Sequence, residues 1–177
     1  MKKIISIVIL AAALFSFCGC AKNEGSLKIG QGIYIEAEKA NDAEGDRNGT
    51  AGATVTIATV LIDENGKIAK CILDAAEYSF SYTSEGKALE PDTDFKTKRE
   101  QGDAYGMKLY GGAAKEWYEQ ADAFCAIAEG KSIGEIKALL ADGGKGNGEV
   151  ISAGCTISVE EFIFAIEKAV ADASSAK

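Results

Sequence analysis

A β-hairpin in the first half of the chain is the sequence feature that most limits the fold. Residues 53–62 are rich in Val, Thr and Ile, residues 63–66 read Asp-Glu-Asn-Gly, and residues 67–74 return. An Asn-Gly pair between two such runs is typical of a tight turn that joins antiparallel strands. Before it, residues 32–38 alternate apolar with polar side chains, which predicts another half-buried strand, and residues 41–52 predict a loop.

Further signals extend this pattern along the chain. Residues 78–83 and 88–90, joined at Ser84-Glu-Gly86, predict a second hairpin. Helical periodicity follows over residues 112–128, over residues 132–141, where Ser132 and Glu135 form a capping box, and over residues 159–170. The chain is therefore expected to be an α+β protein, with an antiparallel β-sheet from the N-terminal half packed against helices from the C-terminal half.

The N-terminus carries a targeting signal. Lys2 and Lys3 precede an apolar run over residues 4–17, which ends at Cys18-Gly19-Cys20. This arrangement predicts a lipoprotein signal peptide (residues 1–19), cleavage before Cys20 and lipidation of the Cys20 thiol. The alternative, an uncleaved membrane anchor, is disfavoured because about 14 apolar residues are fewer than the roughly 20 that a spanning helix needs.

Three further parts are expected after the signal peptide. Residues 20–29 form a tether after the lipidated cysteine, residues 30–173 form a single domain, and residues 174–177 form a frayed tail. The protein is then expected to be exported and held by its lipid on the outer face of the cytoplasmic membrane, or in the periplasm or outer membrane of a Gram-negative host.

Composition excludes several classes of function. The chain has 19 basic and 27 acidic residues, and removal of Lys2 and Lys3 changes the net charge from −8 to 17 − 27 = −10. Such an acidic balance argues against nucleic acid as a partner. Histidine is absent, so a hydrolase would lack its usual base and a zinc site its commonest ligand. Redox chemistry, if present, would have to come from a cofactor.

Three cysteines remain in the mature domain: Cys71, Cys125 and Cys155. Their number allows at most one disulfide. None belongs to a Cys-x-x-Cys pair, and Cys71 and Cys125 have apolar neighbours, so free thiols are favoured.

A candidate site lies at residues 149–158. Thr156 follows Gly154 and comes just before Ser158, whose spacing to Glu161 predicts a capping box ahead of the last helix. A helix N-terminus offers unpaired N–H groups and partial positive charge, so a phosphate is expected to bind beside Thr156. The glycine-rich loop over residues 142–148 that precedes the site could also bind a phosphate through its N–H groups. A plain connector is favoured, because the loop lacks the preceding strand, the spacing and the Lys-Ser/Thr ending of a nucleotide P-loop.

A basic cluster offers a second set of candidate contacts. Lys96, Lys98 and Arg99 are close in sequence to Tyr105 and Met107, a combination that suits an anion carrying a flat ring. The alternative is a solvated loop in which these charges offset neighbouring carboxylates.

The segment from Val150 to Thr156 resembles the attachment motif of the FMN-binding domain family, Asp-x-x-Ser/Thr-Gly-Ala-Ser/Thr, which precedes an apolar helix. Gly154 and the acceptor Thr156 match the motif, whereas Val150, Ala153 and Cys155 differ from it. A second Gly-Ala-Thr, at residues 52–54, is interpreted as a decoy because a strand follows it.

Other features resemble a lipoprotein branch of that family over residues 29–173: the lipoprotein signal, the Asp-Glu-Asn-Gly turn, the Lys-Thr-Lys-Arg-Glu block (residues 96–100) and the segment Lys-Glu-Trp-Tyr-Glu-Gln (residues 115–120).

The resemblance implies FMN as cofactor, either covalent through Thr156 or non-covalent. It implies contacts from Gly154, Cys155, Ser158 and the basic cluster, and a flavin transferase and a surface redox partner as partners. The expected function is electron transfer rather than stand-alone catalysis. The alternative is a cofactor-free lipoprotein of the same fold that serves as a binding module.

Overall fold

The computed structural model describes residues 26–37, 40–89 and 95–175. Within them, β1 (Lys28–Ala37), β2 (Gly49–Ile62) and β3 (Ile68–Tyr82) form an antiparallel sheet in the order β1-β2-β3. Helices make up the second half of the chain, so the predicted α+β class and the division into an N-terminal sheet and C-terminal helices are confirmed. The predicted signal peptide and Cys20 lie outside the described residues.

The predicted hairpin is the turn between β2 and β3. The Asp63 carboxylate accepts the backbone N–H groups of Asn65 at 2.9 Å and Lys67 at 2.8 Å. These bonds to the charged form, led by that from Lys67, lower the pKa of Asp63. The side chain therefore closes the turn as the sequence pattern predicts.

The predicted break after residue 74 was wrong, because β3 continues without interruption to Tyr82. Ala75 is buried and pairs with Thr56 of β2, so pairing overrides the weak strand propensity of alanine. The second predicted hairpin is present in a short form: Tyr82 and Ala88 form an antiparallel bridge, and the N–H groups of Thr83 and Leu89 donate to the Lys87 and Ser81 carbonyl oxygens, each at 2.9 Å. β1 begins at Lys28, inside the predicted tether, and β2 begins at Gly49, inside the predicted loop.

Six α-helices follow in the described residues: α1 (Lys98–Gln101), α2 (Met107–Gly111), α3 (Trp117–Ala128), α4 (Ile133–Lys137), α5 (Gly148–Ser152) and α6 (Glu160–Ser175). Short 3-10 turns span Gly102–Tyr105 and Asp142–Gly144.

Three helix boundaries differ from those predicted. The helix predicted from residue 112 starts at Trp117, since Gly112 ends α2 at φ +64° and the Glu116 N–H donates to the Glu119 carboxylate at 2.8 Å. The Ser132 capping box is confirmed, although α4 ends at Lys137. Helix α6 extends beyond the predicted residue 170 as far as Ser175 because the buried Ala173 still packs on the sheet side.

The core lies between one face of the sheet and helices α3 and α6. Two glycines of β1 let α6 approach closely: a Cβ atom on Gly30 would lie 2.0 Å from the Ala169 oxygen, and one on Gly32 would lie 2.1 Å from the Ala165 oxygen. Any other residue there would force the helix away from the strand. Within the described residues, no helix is both long and apolar enough to cross a bilayer.

Candidate functional site

The loop between α5 and α6 presents Thr156 at the surface. Asn147 caps α5, accepting the N–H groups of Glu149 at 3.0 Å and Val150 at 3.3 Å. Gly154 then reverses the chain at φ +93°, a conformation that favours glycine. The following residue, Cys155, is fully buried and anchors the loop, so Thr156 emerges at a fixed point between the two helices.

Thr156 is held by a buried side chain of α3. Gln120 is 1% exposed, and its Oε1 accepts both the Thr156 N–H at 2.8 Å and the Thr156 hydroxyl at 3.1 Å. The Gln120 amide nitrogen donates to the Lys115 carbonyl oxygen at 3.0 Å. The buried Gln120 amide therefore makes hydrogen bonds through both its oxygen and its nitrogen. These bonds orient the hydroxyl of the exposed Thr156, but an amide cannot act as a general base.

Two lysines bind backbone carbonyl oxygens of the loop that carries Thr156. The Lys115 ammonium donates to the Ala153 carbonyl oxygen at 3.0 Å, and the Lys145 ammonium donates to the Thr156 carbonyl oxygen at 3.3 Å. A Cβ atom on Gly154 would lie 2.4 Å from the Lys115 Nζ, so glycine leaves the space that Lys115 occupies. Two cations therefore lie on the loop that presents Thr156, in a protein that is acidic as a whole.

The sequence analysis assigned no site role to Lys115, Gln120 or Lys145. Lys115 and Gln120 belong to the 115–120 segment that carries the family resemblance, and Lys145 belongs to the glycine-rich loop over residues 142–148. Each of them reaches the Thr156 loop only through the fold. Gln120 gave a weak signal, because it is a polar residue one turn after Trp117 on the buried stripe of α3. A buried amide on such a stripe needs a partner, and that partner is Thr156.

The predicted phosphate seat at the start of α6 is not formed. The Ser158 hydroxyl donates to the Gly144 carbonyl oxygen at 3.1 Å, and the Glu161 carboxylate accepts the Thr56 hydroxyl at 3.2 Å. The expected capping box is therefore absent from this part of the structure. Glu160 and Glu161 place two carboxyl groups in the first turn of α6, which disfavours an additional anion there.

Cys155, an expected cofactor contact, points into the core instead. Its side chain is fully buried, and this burial raises the pKa of the thiol to about 11. The protein therefore keeps a neutral thiol at this position near neutral pH. Cys71 and Cys125 are likewise buried, and all three are free thiols.

Lys98 serves to attach α1 to the sheet. Its ammonium lies 3.1 Å from the Glu77 carboxylate and 5.1 Å from the centre of the Tyr105 ring. Burial lowers the pKa of Lys98, but its interactions with Tyr105 and Glu77 outweigh burial and raise the pKa overall. Tyr105 donates to the same Glu77 carboxylate at 3.3 Å. The charge of Lys98 is thus already neutralised within the fold.

Arg99 is committed to the edge of β3 in the same way. Its guanidinium donates to the Leu73 carbonyl oxygen at 3.0 and 2.9 Å and to the Asp122 carboxylate at 2.8 Å. The Met107 N–H donates to the buried Glu116 carboxylate at 2.8 Å. Among the described residues, no hydrogen bond or ion pair connects these side chains to the Thr156 loop.

Lys96 has a different setting from its neighbours. It lines an open cleft of about 480 Å³ together with Tyr78 and Phe95, whose rings pack edge to face at 4.9 Å. This cleft lies beside the exposed end of β3. The predicted basic cluster is therefore divided, with Lys98 and Arg99 used by the fold and Lys96 at a surface cleft.

The chain is similar in sequence to a protein named chlorophenol reductase from Desulfitobacterium hafniense. The two are 28% identical over an alignment of 126 positions, and the alignment covers 62% of this chain and 37% of the relative. The chain thus spans little more than a third of that relative's length. No protein-family profile matches the chain, and no solved structure matches it significantly.

Proposed function

We propose that the protein is an exported, lipid-anchored carrier of FMN that transfers electrons at the cell surface, with Thr156 as the attachment residue. One observation carries the proposal: buried Gln120 accepts the hydroxyl hydrogen bond of the exposed Thr156, while the Lys115 and Lys145 ammonium groups bind the carbonyl oxygens of Ala153 and Thr156 in the same loop. A phosphate ester on this hydroxyl would place its negative charge beside two lysines. Bound FMN would supply reversible electron transfer.

The residues around Thr156 fit the FMN phosphate. Lys115 and Lys145 would contact the phosphate oxygens, and Gly154 gives Lys115 the room to do so. Gln120 accepts the hydroxyl hydrogen bond, but an amide cannot take up the proton. Attachment of the flavin would therefore depend on a separate transferase rather than on the chain itself.

The departures from the attachment motif leave these contacts in place. Val150 and Cys155 are fully buried, so at both positions the side chain packs in the core. Ala153 is exposed, and its carbonyl oxygen accepts the Lys115 ammonium. None of the three side chains forms the surface around the Thr156 hydroxyl.

The sequence relative and the N-terminus support the remaining parts of the proposal. The relative is named a reductase, which agrees with a redox role. β1 begins at Lys28, eight residues after Cys20, so a tether from a lipidated Cys20 would reach at most about 28 Å. The domain would stay close to the membrane surface and to redox partners there.

In-gel flavin fluorescence tests the attachment residue. The full chain would be expressed with a flavin transferase that labels a known carrier, and the denatured protein would be examined on a gel. We expect a fluorescent band from the wild type and no fluorescent band from Thr156→Val. Thr156→Ser should retain at least part of the wild-type fluorescence. Thr54→Val, which alters the decoy Gly-Ala-Thr, should remain fluorescent. A dark wild-type band beside a labelled control carrier would exclude covalent attachment.

The alternative is a cofactor-free binding module of the same fold. The observation in its favour is the apolar outer face of the sheet, where Ile29 is 65% and Ile35 63% exposed. Absorbance distinguishes the two functions, because a module without cofactor would show no flavin bands when purified from its native host.

A further inference from the structure

The sheet has one face packed on the helices and one face open. On the open face lie Ile29, Ile33 and Ile35 of β1, with the polar Gln31 between the first two. Ile72 and Phe80 of β3 lie beyond β2 on the same side. Their exposed fractions range from 40% to 65%. Antiparallel sheets normally present polar side chains to water on such a face, so an apolar face points to a missing layer.

The size of this outer face suits a protein interface. Six large apolar side chains of this face are exposed, namely Ile29, Ile33, Ile35, Ile72, Tyr78 and Phe80. They expose roughly 600 Å² of residue surface, which is at the upper end of the largest apolar patch usual on a monomer and approaches the about 800 Å² per partner of a stable interface. Half-buried residues of β2, including Val55 and Ile57, lie between them and add to this surface.

Charge limits the choice of partner. The register places Asp74 on the outer face opposite Ile57, but the Asp74 carboxylate already accepts the N–H groups of Ala75 at 2.8 Å and Arg99 at 3.2 Å. Apart from Asp74, the middle of the face consists of side chains without formal charge, which are Ile33, Val55, Ile57, Thr59, Ile72 and Ala76. A strongly basic or acidic partner would find little charge complementarity there. Two copies of this acidic chain, however, could meet on this face with their charges kept at the rim.

Edge-to-edge pairing is obstructed along β1. The Asp172 carboxylate accepts the Gln31 N–H at 3.0 Å, and the Lys168 ammonium donates to the Ile33 carbonyl oxygen at 2.8 Å. Side chains of α6 thus occupy backbone groups that a second β1 strand would need. Contact through the face is the arrangement left open by these bonds.

We propose that two copies of the protein pack through their outer sheet faces, forming a symmetric six-stranded sandwich. The same residues would contribute from both copies, as a two-fold interface requires, and the two sheets would lie about 10 Å apart. The interface is on the side of the sheet away from α6 and does not depend on flavin. It would leave the Thr156 loops of both copies free for a redox partner.

Photo-crosslinking in native membranes tests this interface on the full chain. A photoreactive phenylalanine analogue would replace Phe80 on the outer face, or Tyr110 as a matched aromatic control that is 83% exposed on α2. We expect an adduct of twice the chain mass from position 80 and none from position 110. Peptide mass spectrometry should identify the second component as this same chain.

A charge substitution on the outer face provides a second test of the interface. Ile35→Lys should lower the yield of the position-80 adduct at least about tenfold, because each copy would bury an unpaired ammonium. Leu109→Lys, at a residue 75% exposed on α2, should leave the yield unchanged. Circular dichroism of both variants would establish that they fold. A position-80 adduct to lipid or to a different protein, no adduct at all, or an adduct unaffected by Ile35→Lys in the folded variant would overturn the proposal.

Discussion

Replacement of Gln120 by leucine tests how the fold prepares Thr156. The Gln120 amide makes three hydrogen bonds, at 2.8 and 3.1 Å to Thr156 and at 3.0 Å to the Lys115 carbonyl oxygen. Leucine fills a similar volume in the 1%-exposed position but makes none of them. Because Thr156 can turn to water, we expect the loss to be moderate, about 1–3 kcal/mol in the free energy of unfolding.

The effect on flavin attachment should be larger than the effect on folding. Without Gln120 the Thr156 hydroxyl is free to rotate, and the loop loses its bond to α3, so fluorescence after transferase treatment should fall severalfold in protein that is still folded. Urea unfolding measures the stability, and in-gel fluorescence per mole of protein measures the attachment.

Gln120→Met is the matched control for cavity effects, since methionine has a similar length and also lacks the amide. It should reproduce the loss of attachment. If either variant keeps both wild-type stability and wild-type labelling, the Gln120 contacts do not prepare Thr156 and this reasoning is refuted.

Three further predictions follow from the same structure. Lys115→Gln combined with Lys145→Gln should reduce flavin labelling at least about tenfold while changing the urea midpoint little. The half-buried Lys115 and the exposed Lys145 each bind one backbone carbonyl oxygen, which contributes little to folding, but both would contact the phosphate. Equal labelling would contradict the anion-binding role. Gly154→Ala should lower the free energy of unfolding by about 1–2 kcal/mol, since its φ of +93° strains any side chain and the new Cβ displaces Lys115; an unchanged melting curve would contradict it. Burial, followed by a hydrogen bond with Glu36, raises the pKa of Glu161. The stability that this group contributes is therefore complete below the unfolded pKa near 4.5 and is lost as pH rises through the folded pKa. Glu161→Gln should flatten that part of the pH–stability curve, and an identical curve would count against the assignment.

The sequence predicted the local elements better than it predicted how they meet. The Asp63 turn, the Ser132 cap and the buried stripe of α3 depend on neighbours within a few residues, so their patterns are readable. The continuous β3 strand was missed because Ala75 and Ala76 have weak strand propensity and are held only by pairing with β2. Long-range pairing of this kind leaves no local signal.

The candidate site shows the same limit. Thr156 could be selected from its motif, but its surroundings depend on residues 11 to 41 positions earlier in the chain. Lys115 reaches it from the loop before α3, Gln120 from α3, and Lys145 from the loop before α5. The basic cluster at residues 96–99, by contrast, had an evident charge pattern, yet two of its side chains are used to fasten α1 to β3.

The central claim, a flavin on Thr156, is tested most directly by mass spectrometry of protein purified from its native membranes. Cleavage after Lys145 and Lys168 releases a peptide in which Thr156 is the single threonine, accompanied by Ser152 and Ser158. We predict that this peptide carries the mass of an esterified FMN and that fragmentation assigns it to Thr156. An unmodified peptide throughout the preparation, or FMN on either serine, would contradict the claim.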